Sequence, residues 1–238
     1  MSGILILTAV ELEARALARR LGLPAITVLP FPAFGRDLVR VAPVGLRAGL
    51  LPSRWPRLLA GLNRPLVVSG GVCGGLAPDL RAGDVVLPES VLGPDGERLN
   101  VTPTPHRQAT LLAGAARGGL LATSREVVAI AEAKAALFAR TGAVAVDMES
   151  SLILAHAAGA GCAALVVRGV SDTAAESLPE ELIGLMTPAG KLHAARALAL
   201  PFSRPRLLPR ALALRRAMGS ALGAVARLLS ALAASSRP

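Results

Sequence analysis

Two carboxylates separated by one helix and one strand carry the first chemical signal in this 238-residue chain. Glu149 lies in Ala145-Val-Asp-Met-Glu-Ser150, at the start of an expected helix, and Asp172 closes Arg168-Gly-Val-Ser-Asp172, just past the apolar run 163–167. In an α/β sheet ligands bind outside the carboxyl ends of the strands, so both acids can reach one small molecule. An ionised carboxylate accepts two O–H groups, which suits Glu149 to the paired hydroxyls of a ribose, with Met148 as apolar contact for the sugar. A carboxyl in a partly dry pocket keeps its proton and can deliver it to a leaving nitrogen, which suits Asp172. Each acid also has a plainer reading, Glu149 as a solvated acid favoured by the helix dipole and Asp172 as a cap or turn residue.

Other candidates are weaker on their own. The cluster Ser69-Gly-Gly-Val-Cys-Gly-Gly-Leu76 follows an expected strand directly. Backbone without Cβ atoms lets a ligand approach closely and can aim N–H groups at an anion, although a tight turn with no ligand explains the glycines equally well. Its spacing is neither the dinucleotide fingerprint nor a P-loop. Glu13 falls on the first expected helix, and Arg15, two residues on, does not share its face. His106 and His156 stand alone, without a metal-ligand partner at useful spacing. There is no G-x-S-x-G elbow, H-E-x-x-H or zinc-type cysteine pair, so serine hydrolase and metallohydrolase chemistry lack support, and no metal is expected.

Alternating elements must hold these residues in place. Strands are expected at 3–8, 38–44, 65–69, 83–88, 144–146 and 164–167. Helices are expected at 10–21, ending near 58–62, at 125–140 and at about 150–158, with a Pro-, Gly- and Asn-rich loop over 93–106. That pattern is α/β with helices on both faces of the sheet. Hydrophobic residues make up 53% of the chain and aromatics 2%, with no tyrosine, so the core is built from Leu, Val and Ala. Mean hydropathy of +0.54 excludes a disordered chain. Cys73 and Cys162 read as buried thiols of a reduced, cytoplasmic protein. The run Ile4-Leu-Ile-Leu7 is too short for a signal h-region and reads as a buried strand.

The net charge of +10 is concentrated in the tail: all sixteen acids lie at or before Glu181, and nine basic residues follow with no acid. Pro201, Pro205 and Pro209 break the chain, after which residues 211–234 read as an amphipathic helix, Leu214, Met218, Ala221, Val225, Leu228 and Leu232 facing away from Arg216 and Arg227. Two units are expected, a catalytic domain over 1–200 and a basic Pro/Arg-rich extension over 201–238. The helix suits peripheral contact with the inner face of a membrane, or packing of its apolar stripe on the body or a second subunit. No 18-residue window is both strongly apolar and charge-free, so a spanning helix is not expected. The near-neutral body argues against a nucleic-acid partner.

Taken together, the motifs resemble a known superfamily. Gly71-Val-Cys-Gly-Gly-Leu-Ala-Pro-Asp-Leu-Arg-Ala-Gly-Asp-Val-Val86, Val146-Asp-Met-Glu-Ser150 and Arg168-Gly-Val-Ser-Asp172 are similar to the glycine, M-E and R-x-x-S-D segments of the nucleoside phosphorylase and nucleosidase superfamily. Thr8-Ala-Val-Glu-Leu-Glu-Ala-Arg15 places Glu13 on that family's first-helix glutamate, and the fit runs from residue 1 to about 176. Within the superfamily, residues 178–185 and the basic tail resemble the hopanoid-associated phosphorylases. The resemblance implies a single-domain three-layer αβα fold with a mixed central sheet, a homo-oligomer, and cleavage of a purine nucleoside. In the leading form, phosphate releases adenine from the lipid-linked adenosylhopane, with inorganic phosphate as co-substrate and no cofactor. The alternative is hydrolysis of methylthioadenosine or S-adenosylhomocysteine. It also implies Asp172 and Glu13 as catalytic residues, with Glu149, Met148, Ser171 and Val127 on the substrate. Arg15, Gly70, Gly71, Gly74 and Gly75 are the candidates for phosphate. Ser124-Arg125-Glu126-Val127 replaces a segment that commonly carries Gly-Asp and an aromatic, so the base-stacking ring is missing.

Overall fold

The computed structural model describes residues 3–184 and 203–235, together with Thr187, Ala189 and His193. The strands are β1 (Ile4–Thr8), β2 (Phe34–Arg36), β3 (Val39–Pro43), β4 (Leu66–Gly75), β5 (Val85–Val86), β6 (Ser90–Leu92), β7 (Arg98–Asn100), β8 (Leu120–Thr123), β9 (Ala145–Asp147) and β10 (Ala164–Asp172). They form one mixed sheet in the order β2-β3-β1-β4-β9-β8-β6-β7, with β10 also beside β4 and β5 beside β10. The helices are α1 (Glu11–Leu21), α2 (Leu51–Leu59), α3 (Pro103–Ala113), α4 (Ala131–Thr141), α5 (Ser150–Gly159), α6 (Glu180–Ile183) and α7 (Leu208–Ser235).

Apolar runs without alternation become strands buried on both faces, as in β1 and β10, where every residue is buried. One core layer joins Leu5, Val67 and Val166 of the sheet to Leu51 and Leu58 of α2 and Ile153 and Leu154 of α5. The other joins Ile6, Val68 and Leu165 to Ala14 and Leu17 of α1, Ala109 of α3 and the second half of α7. The molecule is therefore the three-layer αβα arrangement the sequence implied.

Several boundaries differ from expectation. The glycine cluster is not a turn after β4 but the second half of β4 itself, paired with β10 in register from Val67 to Cys73 and, after a shift between Val170 and Asp172, at Gly74. β10 likewise runs on to Asp172, so this acid is the last strand residue and not the first beyond it. Residues 125–130 are outside α4, which starts at Ala131. The 93–106 loop holds the β6–β7 hairpin, and Pro103 opens α3, where its missing N–H costs nothing.

The C-terminal helix is part of the body. Leu222, Val225, Ala226, Leu228, Leu229 and Leu232 are buried in the second core layer, while Arg216 and Arg227 face solvent. Pro205–Ser235 is long and apolar enough to cross a membrane by length and composition alone. Its apolar stripe is spent on β10, α1 and α3, the body-packing alternative of the sequence reading. Contact there is so close that a methyl group on Gly169 of β10 would lie 2.7 Å from the carbonyl oxygen of Ala221.

Candidate functional site

Three carboxylates converge on one guanidinium at the C-terminal ends of β1, β4, β9 and β10. Arg168 is fully buried in β10. Its Nη2 lies 2.7 Å from Asp147 Oδ2 and 3.8 Å from Glu149 Oε2, and donates to Ser69 Oγ at 2.8 Å. Glu13 reaches the same point from α1. Its Oε2 accepts the Val10 N–H at 3.2 Å, the reach-back bond of a capping box, and its Oε1 accepts the Val72 N–H at 2.8 Å. Gly71 makes this convergence possible. Its φ of +143° disfavours any side chain, and a methyl group there would lie 2.6 Å from Glu13 Oε1 and 2.8 Å from Arg168 Nη1.

Burial pushes the Glu13 carboxyl above the usual carboxylate range, with Arg168 and the N–H groups of Val72 and Val10 pulling against it. For Arg168, burial opposes the charge, but Asp147, Glu149 and Glu13 together outweigh it and hold the guanidinium protonated. Arg168 Nε is buried and has no partner among the described residues.

Glu149 begins α5, as expected, and its Oε1 accepts the Arg47 N–H at 3.0 Å. Burial pushes its carboxyl up to about 8. Arg168 lowers it, Asp147 and Glu13 raise it, and the Arg47 N–H lowers it. The folded protein therefore binds a proton that the unfolded chain releases between about 4.5 and about 8, so stability falls as pH rises through that window. Thermal unfolding across pH 4.5–8.5 should show that fall in Tm, and Glu149→Gln should flatten it; parallel curves for the two proteins would refute the assignment. Beneath Glu149, Asp147 Oδ1 accepts from Thr123 Oγ1 at 2.9 Å, and Asp147 Oδ2 accepts from Ser150 Oγ at 2.5 Å. This network fixes the turn between β9 and α5 on which Met148 and Glu149 sit.

Asp172 is 5% exposed at the end of β10. Its Oδ1 accepts from Ser171 Oγ at 2.6 Å, and its Oδ2 accepts from Lys134 Nζ at 2.5 Å. Gly74 lies alongside, with a methyl group there reaching Asp172 Oδ2 at 3.3 Å. Glu13, Glu149, Ser171, Asp172, Gly71 and Gly74 are thus held at one edge of the sheet.

The expected phosphate residues fare differently. Arg15 points away from β4: its guanidinium is 61% exposed, pairs with Glu11 through Nε at 2.8 Å, and lies over the Phe34 ring. The i,i+4 spacing to Glu11 on the outer face of α1 decides this. Gly70, Gly71, Gly74 and Gly75 lie in a strand, where successive N–H groups point in opposite directions and do not converge on one anion. Val127 is 41% exposed in the segment before α4, and it is Val128 that packs against Leu76, Ala122 and Val146. Sequence reasoning also missed Lys134, Asp147, Ser69 and the Arg47 N–H. Lys134 was the most legible of these, because it shares the buried face of α4 with Leu137, Phe138 and Thr141.

Known proteins share this sequence pattern and fold. Residues 56–199 match the family described as the phosphorylase superfamily. The futalosine hydrolase of Streptomyces coelicolor is 30% identical, over 79% of this chain and 94% of that protein. The chain belongs to the phosphorylase superfamily. It is an enzyme of nucleosidase and phosphorylase type. Among solved structures, a mutant of the Helicobacter pylori nucleosidase MTAN with 5′-methylthioadenosine in its active site superposes with a TM-score of 0.73, at 18% identity and 99% coverage of both chains. Futalosine hydrolase of the same organism gives 0.72, at 18% identity and 98% coverage of both. The 5′-methylthioadenosine/S-adenosylhomocysteine nucleosidase of Neisseria meningitidis, bound to methylthio-immucillin-A, gives 0.72 at 18% identity, covering 99% of this superfamily member and 100% of its own chain.

Proposed function

We propose that the chain hydrolyses the N-glycosidic bond of a purine nucleoside, with water as the nucleophile. The observation that carries this reading is the charge around Arg168, where one guanidinium already faces Asp147, Glu149 and Glu13. A phosphate dianion would have to displace those carboxyl groups from the one buried cation, which already pairs with Asp147 at 2.7 Å. A neutral water brings no charge into that site and would meet an acceptor in Glu13.

In this reading Glu149 accepts the ribose hydroxyls and Met148 lies against the sugar. Asp172 gives a proton to the purine as the C1′–N bond breaks and its electron pair passes to the base. Water forms the new bond to C1′ and yields its proton to Glu13, whose raised pKa makes it a stronger base than an exposed carboxylate. The nucleophile reading thus moves from phosphate to water, because Arg15 faces solvent and the β4 glycines do not form an anion cradle. The names of the relatives put futalosine, 5′-methylthioadenosine and S-adenosylhomocysteine at the head of a substrate panel, with adenosylhopane from the sequence resemblance beside them. The test is release of free purine from this panel with and without inorganic phosphate. Equal rates and free sugar product are expected; a rate that depends on phosphate, with a sugar phosphate product, would overturn hydrolysis.

A further inference from the structure

We propose that Lys134 is a positioning and charge-compensating residue for departure of the base, acting through Asp172. The inference rests on the assignment of Asp172 as proton donor to the leaving purine and is independent of which nucleophile attacks. Lys134 is fully buried in α4, and its ammonium spends its three protons on three acceptors: Asp172 Oδ2 at 2.5 Å, Thr173 O at 2.8 Å and Glu176 O at 2.8 Å. These bonds fasten one oxygen of Asp172 and the segment that follows β10 to a single point of α4. Ser171 Oγ, at 2.6 Å, fixes the other oxygen from the opposite side. The carboxyl plane is therefore held on both edges, as proton delivery to one ring nitrogen requires.

The charge has a second consequence. As the C1′–N bond breaks, its electron pair enters the purine, the proton of Asp172 passes to the ring nitrogen, and a carboxylate is left behind. That new negative charge forms 2.5 Å from a desolvated ammonium which is already in place, so stabilisation is largest where charge develops. Lys134 keeps its own proton throughout.

The experiment compares aglycones. Lys134→Met should lower kcat on the panel's best purine nucleoside about 100-fold with little change in KM. The same variant should cleave 4-nitrophenyl β-D-ribofuranoside within about threefold of wild type, because nitrophenolate leaves without a proton. Lys134→Arg, which keeps the cation, should recover part of the loss. Equal losses on both aglycones would mean a structural role only and overturn the proposal. A second measurement needs only the purine substrate: adding Lys134→Met to Asp172→Asn should cost nothing further, whereas a further 100-fold loss would overturn it. Phosphate dependence in the wild type would sink hydrolysis while leaving both readouts decisive for Lys134.

Discussion

Truncation after Arg204 is expected to abolish cooperative folding. The deleted helix α7 places Leu222, Leu228, Leu229, Leu232 and Val225 in the core layer shared with Ala14 and Leu17 of α1 and Val167 of β10. At roughly 1.5–3 kcal/mol for each buried side chain, their loss amounts to about 10 kcal/mol. That equals the whole stability of an ordinary domain. Beneath the missing helix, Leu165 and Val167 of β10 would face water, on the strand that carries Arg168 and Asp172. Circular dichroism melting of the full and truncated chains is the measurement. A truncated chain that melts cooperatively within a few degrees of the intact one would show that α7 is an appendage after all.

Glu13→Gln should lower kcat about 1000-fold, equivalent to about 4 kcal/mol of transition-state stabilisation, with KM changed only slightly. The amide is isosteric and its oxygen still accepts the Val72 N–H that holds the side chain between α1 and β4. What it lacks is the ability to take a proton from water. The substitution also removes one of three carboxyl groups facing Arg168, so the buried guanidinium keeps Asp147 and Glu149 and the fold should persist. Steady-state kinetics with a Tm measurement on the same preparation separates chemistry from folding. A kcat within threefold of wild type would remove Glu13 from the chemistry, and equal loss of Tm and activity would assign it to structure alone.

The legible part of this molecule was the part in which residue type and strand end coincide. Glu149 and Asp172 were readable because each sits where an apolar run stops, at the sheet edge where ligands bind, although cap and turn roles were equally open for each taken alone. Glu13 was readable only through resemblance, since on α1 it differs from Glu11 in nothing that periodicity reports. The glycine cluster was misread for a physical reason: turn statistics favour Gly-Gly, but here β10 pairs alongside through Gly74 and holds the segment extended. Lys134 was overlooked because a lone lysine among alanines looks like a solubilising residue until the loop after Asp172 closes over it.

The sequence by itself determined the α/β class, the longer apolar strands β1, β4 and β10 with the helices α1 and α5, and the carboxylates at their ends, because burial periodicity and element-terminal residue types are local properties; the short strands β2, β6, β7 and β8 and the helix α3 carry too little of that pattern to be read. Only the tertiary structure decided which charges meet. It turned Arg15 out to Glu11, brought Glu13 across Gly71 to Arg168, set Lys134 behind Asp172 and drew α7 into the core. Those pairings join residues far apart in the sequence, 155 positions for Glu13 and Arg168 and at least 187 between α1 and α7, and a linear pattern specifies which face of an element is buried but not which partner will cover it.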